Sequence, residues 1–127
     1  MEPVFLDLDG VLLLHEISIL KHGGDPGIRD AGLVESAVAA GRNTFYYANG
    51  SIFDIAAAYA FHIAEAQAFV DGNKRTGAAA AIVFLDVNGY SVAGADDALY
   101  NALIEIANHR LDKNGLSELI RRLAKKD

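Results

Sequence analysis

Apolar residues along this chain fall into blocks of helical period, separated by short polar or glycine-containing breaks. Between Asp7 and about Lys21, Val11, Leu12, Leu14, Ile17 and Leu20 recur at helical spacing, and Gly23-Gly24-Asp25-Pro26-Gly27 ends the block. The pattern predicts a first helix capped by Asp7 or Asp9, since a carboxylate there accepts from the unpaired N–H groups of the first turn. A second, short helix is predicted from about Ala31 to Gly41, with Leu33, Ala37, Val38 and Ala40 inward. Asn43 to Gly50 mixes turn formers with Phe45, Tyr46 and Tyr47 and reads as an extended or hairpin-like loop.

Two blocks differ from the others. Ile52–Phe69 and Gly77–Val87 have almost no polar face, the mark of buried helices, and their alanines permit close approach. They are predicted to lie antiparallel at the centre, joined by Val70-Asp71-Gly72-Asn73-Lys74-Arg75. Asn88-Gly89 supplies a stop, Tyr90-Ser91-Val92 a short extended piece, and Asp96-Asp97 the cap of a helix with Leu99, Leu103, Ile106 and Ala107 on one side. After Asn114-Gly115, the positions Leu116, Leu119, Ile120 and Leu123 form the stripe of a peripheral amphipathic helix. There is no repeat or linker. The expected architecture is all-α, one domain over residues 1–127, a compact bundle around two buried central antiparallel helices with a short β-hairpin flap.

Composition narrows the function classes. At 127 residues and 52% hydrophobic, the chain can bury a core without cross-links, and zero cysteines exclude disulfides and thiolate metal sites. A net charge of −6 argues against a broad grip on nucleic acid or an anionic membrane, so any phosphate-binding role must be local. With no basic leader and no apolar run near the ~18 residues that cross a bilayer, the default location is the cytoplasm. Six of the 11 basic residues lie from Arg110 to Lys126, which reads as a solvated helix face, with a docking surface for an acidic partner as the alternative. His15, His22, His62 and His109 have no metal-binding spacing; a packing or surface role is expected of His15 and a core or helix-packing role of His62.

The segment Gln67-Ala68-Phe69-Val70-Asp71-Gly72-Asn73-Lys74-Arg75-Thr76 carries the candidate chemistry. It opens a buried helix, whose N-terminus offers unpaired N–H groups and the positive end of the helix dipole to an anion. Gly72 allows close backbone approach, Lys74 and Arg75 add cations, Asn73 an amide and Asp71 a carboxylate suited to Mg²⁺ carried with a nucleotide. The competing reading is a capped, solvated turn in which Asp71 is an N-cap and the two cations are surface charge.

These residues resemble the signature of the Fic/Doc superfamily, a His-Pro/Ala-Phe-x-Asp/Glu-Gly/Ala-Asn core between two central helices. Lysine after the asparagine, here Lys74, is similar to the death-on-curing (Doc) toxin branch; the AMP-transferring Fic branch has glycine there and a second arginine where this chain has Ala78. The likeness extends over His15-Glu16, the Gly23–Asp30 turn and Phe84–Tyr90. It implies a toxin of a toxin–antitoxin pair that uses ATP and Mg²⁺ to phosphorylate a threonine of elongation factor Tu, with AMP transfer as the alternative. By the same resemblance Asp71 would hold the metal, Asn73, Lys74 and Arg75 the phosphates, Phe69 would anchor the loop, and Asn43–Gly50 would be the flap for the target. The antitoxin is expected to be a separate protein whose tail folds into a groove between the first helix and the central pair, and which supplies any DNA contact.

One departure is at the general base. The family's histidine falls at position 67, where this chain has Gln67. An amide has no proton-accepting site near neutral pH, so a loss of the ~10²–10⁴-fold that general-base catalysis contributes is expected. His62 does not replace it: five residues earlier on a helix means about 500° of rotation, about 140° off the direction of Gln67, and about 7.5 Å along the axis. A non-catalytic module that binds antitoxin or nucleotide is therefore a further reading. A rival motif, Val4-Phe5-Leu6-Asp7-Leu8-Asp9-Gly10, resembles the first motif of haloacid dehalogenase-type phosphatases, but no alternating strand–helix pattern follows it.

Overall fold

A computed structural model describes residues 2–92 and 94–127. Among them are six helices: α1 (Leu8–His22), α2 (Ala31–Ala48), α3 (Ile52–Ala66), α4 (Asn73–Val87), α5 (Asp96–Ala107) and α6 (Lys113–Leu123). Strand β1 (Tyr90–Ser91) pairs antiparallel with β2 (Lys125–Lys126), so the fold is all-α with one small ribbon.

Helices α3 and α4 form the centre, and the six residues between them make the pair antiparallel. Their backbones touch at Gly77, where a Cβ would stand 2.6 Å from the Ala60 carbonyl oxygen. Helices α2 and α6 pack on α3, while α1 and α5 pack on α4. Tyr59, Phe69, Phe84, Ile55, Leu85 and Leu99 fill the space between them with no exposure to speak of. The Tyr59 hydroxyl accepts from the Leu6 N–H at 3.0 Å and so ties the N-terminal segment to α3.

Three sequence expectations change in the folded chain. Asp7 does cap α1, accepting from the Gly10 N–H at 2.8 Å, and Val11 is buried as expected, but His15 and Ser18 complete the buried face while Leu12 and Leu14 are only partly buried against the core. Leu13, Ile17 and Leu20 are exposed, Leu20 by 86%. With leucines on nearly every side of α1, periodicity could not select a face; His15 is buried instead because its ring stacks on Phe69 of the α3–α4 loop.

The second correction concerns Asn43–Gly50, which is not a hairpin flap. Helix α2 continues to Ala48, ending at Asn49 in the left-handed conformation, and its inward face is Val34, Ala37, Val38 and Gly41, with Leu33 exposed. Thr44 Oγ1 donates back to the Ala40 carbonyl, and Phe45 packs edge-on against Phe5 with centroids 5.8 Å apart. The Phe45–Phe5 contact, between residues distant in sequence, overcomes the turn-forming preferences of the segment. Third, Ala95 rather than Asp96 or Asp97 is the N-cap of α5; both carboxylates sit in its first turn, near the positive dipole end, and Ala107 is exposed.

The C-terminal cations are dispersed. Arg110 makes two hydrogen bonds to Glu105, at 2.7 and 3.0 Å, Arg121 lies 3.6 Å from Glu118, and Lys125 and Lys126 stand on the ribbon. Among the described residues no helix is long and apolar enough to cross a membrane.

Candidate functional site

The joint between α3 and α4 is held almost atom by atom. The Ala68 carbonyl accepts from the N–H groups of both Arg29 and Asp30, and Val70 N–H donates to the Gly27 carbonyl. Buried Asn73 brackets Phe69: its Oδ1 accepts from the Phe69 N–H at 3.1 Å and its Nδ2 donates to the Phe69 carbonyl at 3.0 Å. The Phe69 ring is buried and lies flat on His15, with centroids 3.8 Å apart. His15 Nε2 reaches the Asp71 carbonyl at 2.9 Å, and Asp71 Oδ2 accepts from the Asp25 N–H at 2.8 Å.

Every one of these ties satisfies a group in residues 68–71; the start of α4 receives none. The N-cap is Gly72, at φ 81° and ψ 15°, a region glycine enters without the Cβ penalty, and no side chain caps the helix. Asp71 is therefore not a cap. The N–H groups of Gly72, Asn73, Lys74 and Arg75 meet no acceptor among the described residues. Burial would make that costly; here the groups border a cleft of about 530 Å³, a size common for small-ligand sites.

The same cleft gathers the sequence candidates Gln67, Asp71, Gly72, Asn73, Lys74 and Arg75. Gln67 is the C-cap of α3, left-handed at φ 54° and ψ 36°, and its Nε2 donates to the Ala64 carbonyl at 3.2 Å. Lys74 has no ion-pair partner among the described residues. Arg75 is held: its guanidinium lies 3.7 Å above the Tyr100 ring and 3.6 Å from exposed Asp97. The side-chain amide of Asn73 is engaged with Phe69, so what Asn73 presents to the cleft is its backbone N–H.

Sequence reasoning passed over four contributors: the Gly24–Asp25 turn, Ser18 and His22 at the end of α1, and Tyr100 on α5 all line the cleft or hold its residues. Tyr100 reaches the cleft from α5 through the Arg75 guanidinium that lies over its ring, a contact between residues distant in sequence that no local pattern signals. His62 lies elsewhere, 3.3 Å from Lys113 Nζ on α6. Burial, and secondarily the Lys113 charge, holds its imidazole below the usual histidine range.

A second cleft of about 530 Å³ runs along α1 and α4, lined by Leu14, Ile17, Lys21, Ala78 and Ile82, and shares Ser18, His22 and Arg75 with the first. Among the described residues no three His, Asp or Glu side chains converge on a metal. Among the described residues Asp71 Oδ1 meets no hydrogen-bond donor, which suits a cation that arrives bound to phosphates and needs one carboxylate.

Toxin Doc of Mycolicibacterium smegmatis is 36% identical over 118 residues, covering 89% of this chain and 88% of that protein. The protein kinase doc of Escherichia phage P1 is 28% identical over 114 residues, covering 89% and 90%. Residues 5–85, from the segment before α1 through most of α4, match the Fic/DOC family, and the chain belongs to that family.

Proposed function

We propose that residues 1–127 act as one Doc-type domain, the toxin of a toxin–antitoxin pair, which transfers phosphate from ATP to a threonine hydroxyl of elongation factor Tu in the cytoplasm. The observation that carries this reading is the uncapped start of α4, where four N–H groups, Lys74 and Arg75 border one cleft with Asp71 and Gln67. The similarity to a protein kinase and to Toxin Doc supports it. Lysine at position 74, directly after Asn73, favours phosphate over AMP transfer.

The N–H groups of residues 72–75 and the Lys74 and Arg75 cations hold phosphate oxygens by charge-assisted hydrogen bonds. Asp71 would hold the Mg²⁺ that arrives with the nucleotide, and that ion would offset charge on the phosphates. The threonine oxygen bonds to the γ-phosphorus as its bond to the ADP oxygen breaks, and the hydroxyl proton must leave. Gln67 stands where the family's histidine would accept it. Its amide orients the hydroxyl but takes no proton, so the proton passes to water and transfer is slow. The groove along α1 and α4 is the seat of the antitoxin tail, with Leu14, Ile17 and Ile82 as its apolar floor; this acidic chain itself contacts neither nucleic acid nor membrane. Gln67 also favours a second reading, a pseudoenzyme that binds nucleotide or antitoxin without chemistry.

The test is Gln67→His, assayed with ATP, Mg²⁺ and elongation factor Tu by mass spectrometry. A gain of ~10²–10⁴-fold in transfer of one phosphate, with growth arrest on expression, is expected. A restored protein that transfers nothing and harms no cell rules the kinase reading out, and a mass increment of AMP replaces it.

A further inference from the structure

His15 is 3% exposed, does not line the cleft, and has no part in the chemistry proposed above. Its contacts nonetheless converge on the anion loop. The imidazole stacks on Phe69 with planes 10° apart, and its Nε2 meets the Asp71 carbonyl; a carbonyl only accepts, so Nε2 donates. One turn along α1, Ile19 Cδ1 stands 3.2 Å from where a Cβ on Gly72 would be, and His15 Cδ2 3.5 Å from it. Helix α1 thus forms a floor beneath Phe69 to Gly72.

The direction of that hydrogen bond has a consequence for binding. All described peptides are trans, and in a trans peptide the carbonyl and the following N–H point oppositely. With the Asp71 carbonyl turned onto His15, the Gly72 N–H is turned away from it and meets no acceptor among the described residues. Rotating this one peptide would replace a donor by a carbonyl oxygen beside any bound anion. Gly72, at positive φ and with no Cβ, is the residue at which such rotation meets least resistance. That peptide, with a glycine on its C-terminal side, is the one His15 holds.

We propose that His15 is a positioning residue for phosphate binding: by donating to the Asp71 carbonyl and stacking on Phe69, it keeps the Asp71–Gly72 peptide with its N–H available to the ligand. The proposal rests on the phosphate-site reading and names a residue that reading did not use. Its test uses the full chain with His15→Phe, which keeps a stacking ring and loses the donor, and His15→Gln, which keeps an N–H donor at a similar reach. ATP with Mg²⁺ is titrated by calorimetry, and amide exchange is followed at Asp25 and Val70, whose N–H groups bond to and from the loop. His15→Phe is expected to exchange faster at both amides and to bind ATP at least tenfold more weakly, and His15→Gln to recover most of each. Unchanged exchange, or faster exchange with unchanged ATP affinity, overturns the proposal. Should His15→Phe not fold, His15→Gln decides alone: ATP affinity within about threefold of the unsubstituted chain upholds the role of the donor, and a tenfold loss refutes it. An unsubstituted chain that binds no ATP removes the nucleotide reading, and the exchange comparison then decides whether His15 holds the loop.

Discussion

Helix α3 is flanked by two joints that begin alike and end differently. The joint before it follows Asn49 and the joint after it follows Gln67, both left-handed C-caps with nearly the same angles, φ 51° and ψ 37° against φ 54° and ψ 36°. At the first joint Ser51 caps α3 in a reciprocal box: its hydroxyl accepts from the Asp54 N–H at 3.2 Å and Asp54 accepts from the Ser51 N–H at 2.9 Å. At the second, α4 starts from Gly72 with no side-chain cap. Of these two helix starts, the first is closed by its own side chains. The second keeps its donors open, and its loop is stabilised from outside by α1, the Gly24–Asp30 segment and the Asn73 bracket.

That contrast breaks most strongly at Asn73. Asn73→Ala leaves the buried Phe69 N–H and carbonyl without partners, so a loss of about 2–4 kcal/mol in unfolding free energy by denaturant titration is expected, together with loss of ATP binding. Gly72→Ala forces a Cβ into positive φ and against Ile19; roughly 1–2 kcal/mol of destabilisation is expected in the same measurement. At the closed joint, Ser51→Ala should cost about 1 kcal/mol and leave ATP affinity untouched, because this cap faces no ligand. An equal effect of Ser51→Ala on ATP affinity would dissolve the distinction between the two joints.

The smallest effect concerns pH and lies away from both joints. Burial and Lys113 lower the folded-state pKa of His62 beneath its ordinary 6.5, so the unfolded chain binds the proton more readily. Stability from this group is therefore full above pH 6.5 and declines as pH falls below it, until the folded form also protonates. His62→Gln should flatten the melting-temperature profile in that interval, and Lys113→Met should flatten it partly; an unaltered slope would assign it to other groups.

How much of this was legible in the residues differs by element. Helices α3 and α4 declared themselves by alanine-rich blocks with no polar face, and the Asp71–Arg75 cluster stood out as glycine and cations at the start of a buried helix, a pattern that fits a solvated turn equally well until the cleft around it is seen. The extent of α2 was hidden, since Phe45 on Phe5 and Thr44 on Ala40 decide it and the first is a contact between distant residues. The inward face of α1 was hidden for a related reason: Val11, His15 and Ser18 share a helical stripe, but two of the three are polar and their burial depends on Phe69 and the loop above. Asn73 was recognisable as a site residue, while the engagement of its amide with Phe69 depends on a loop conformation that no periodicity encodes.

The central claim is that the uncapped start of α4 binds the phosphates of a nucleotide. Calorimetric titration of ATP with Mg²⁺ into the full chain, beside Lys74→Ala, tests it most directly, because Lys74 lines the cleft and has no protein ion pair among the described residues. Saturable binding that weakens tenfold or more in Lys74→Ala, the loss of one charge-assisted contact, is the required result. No binding, or binding of equal strength in both proteins, contradicts it.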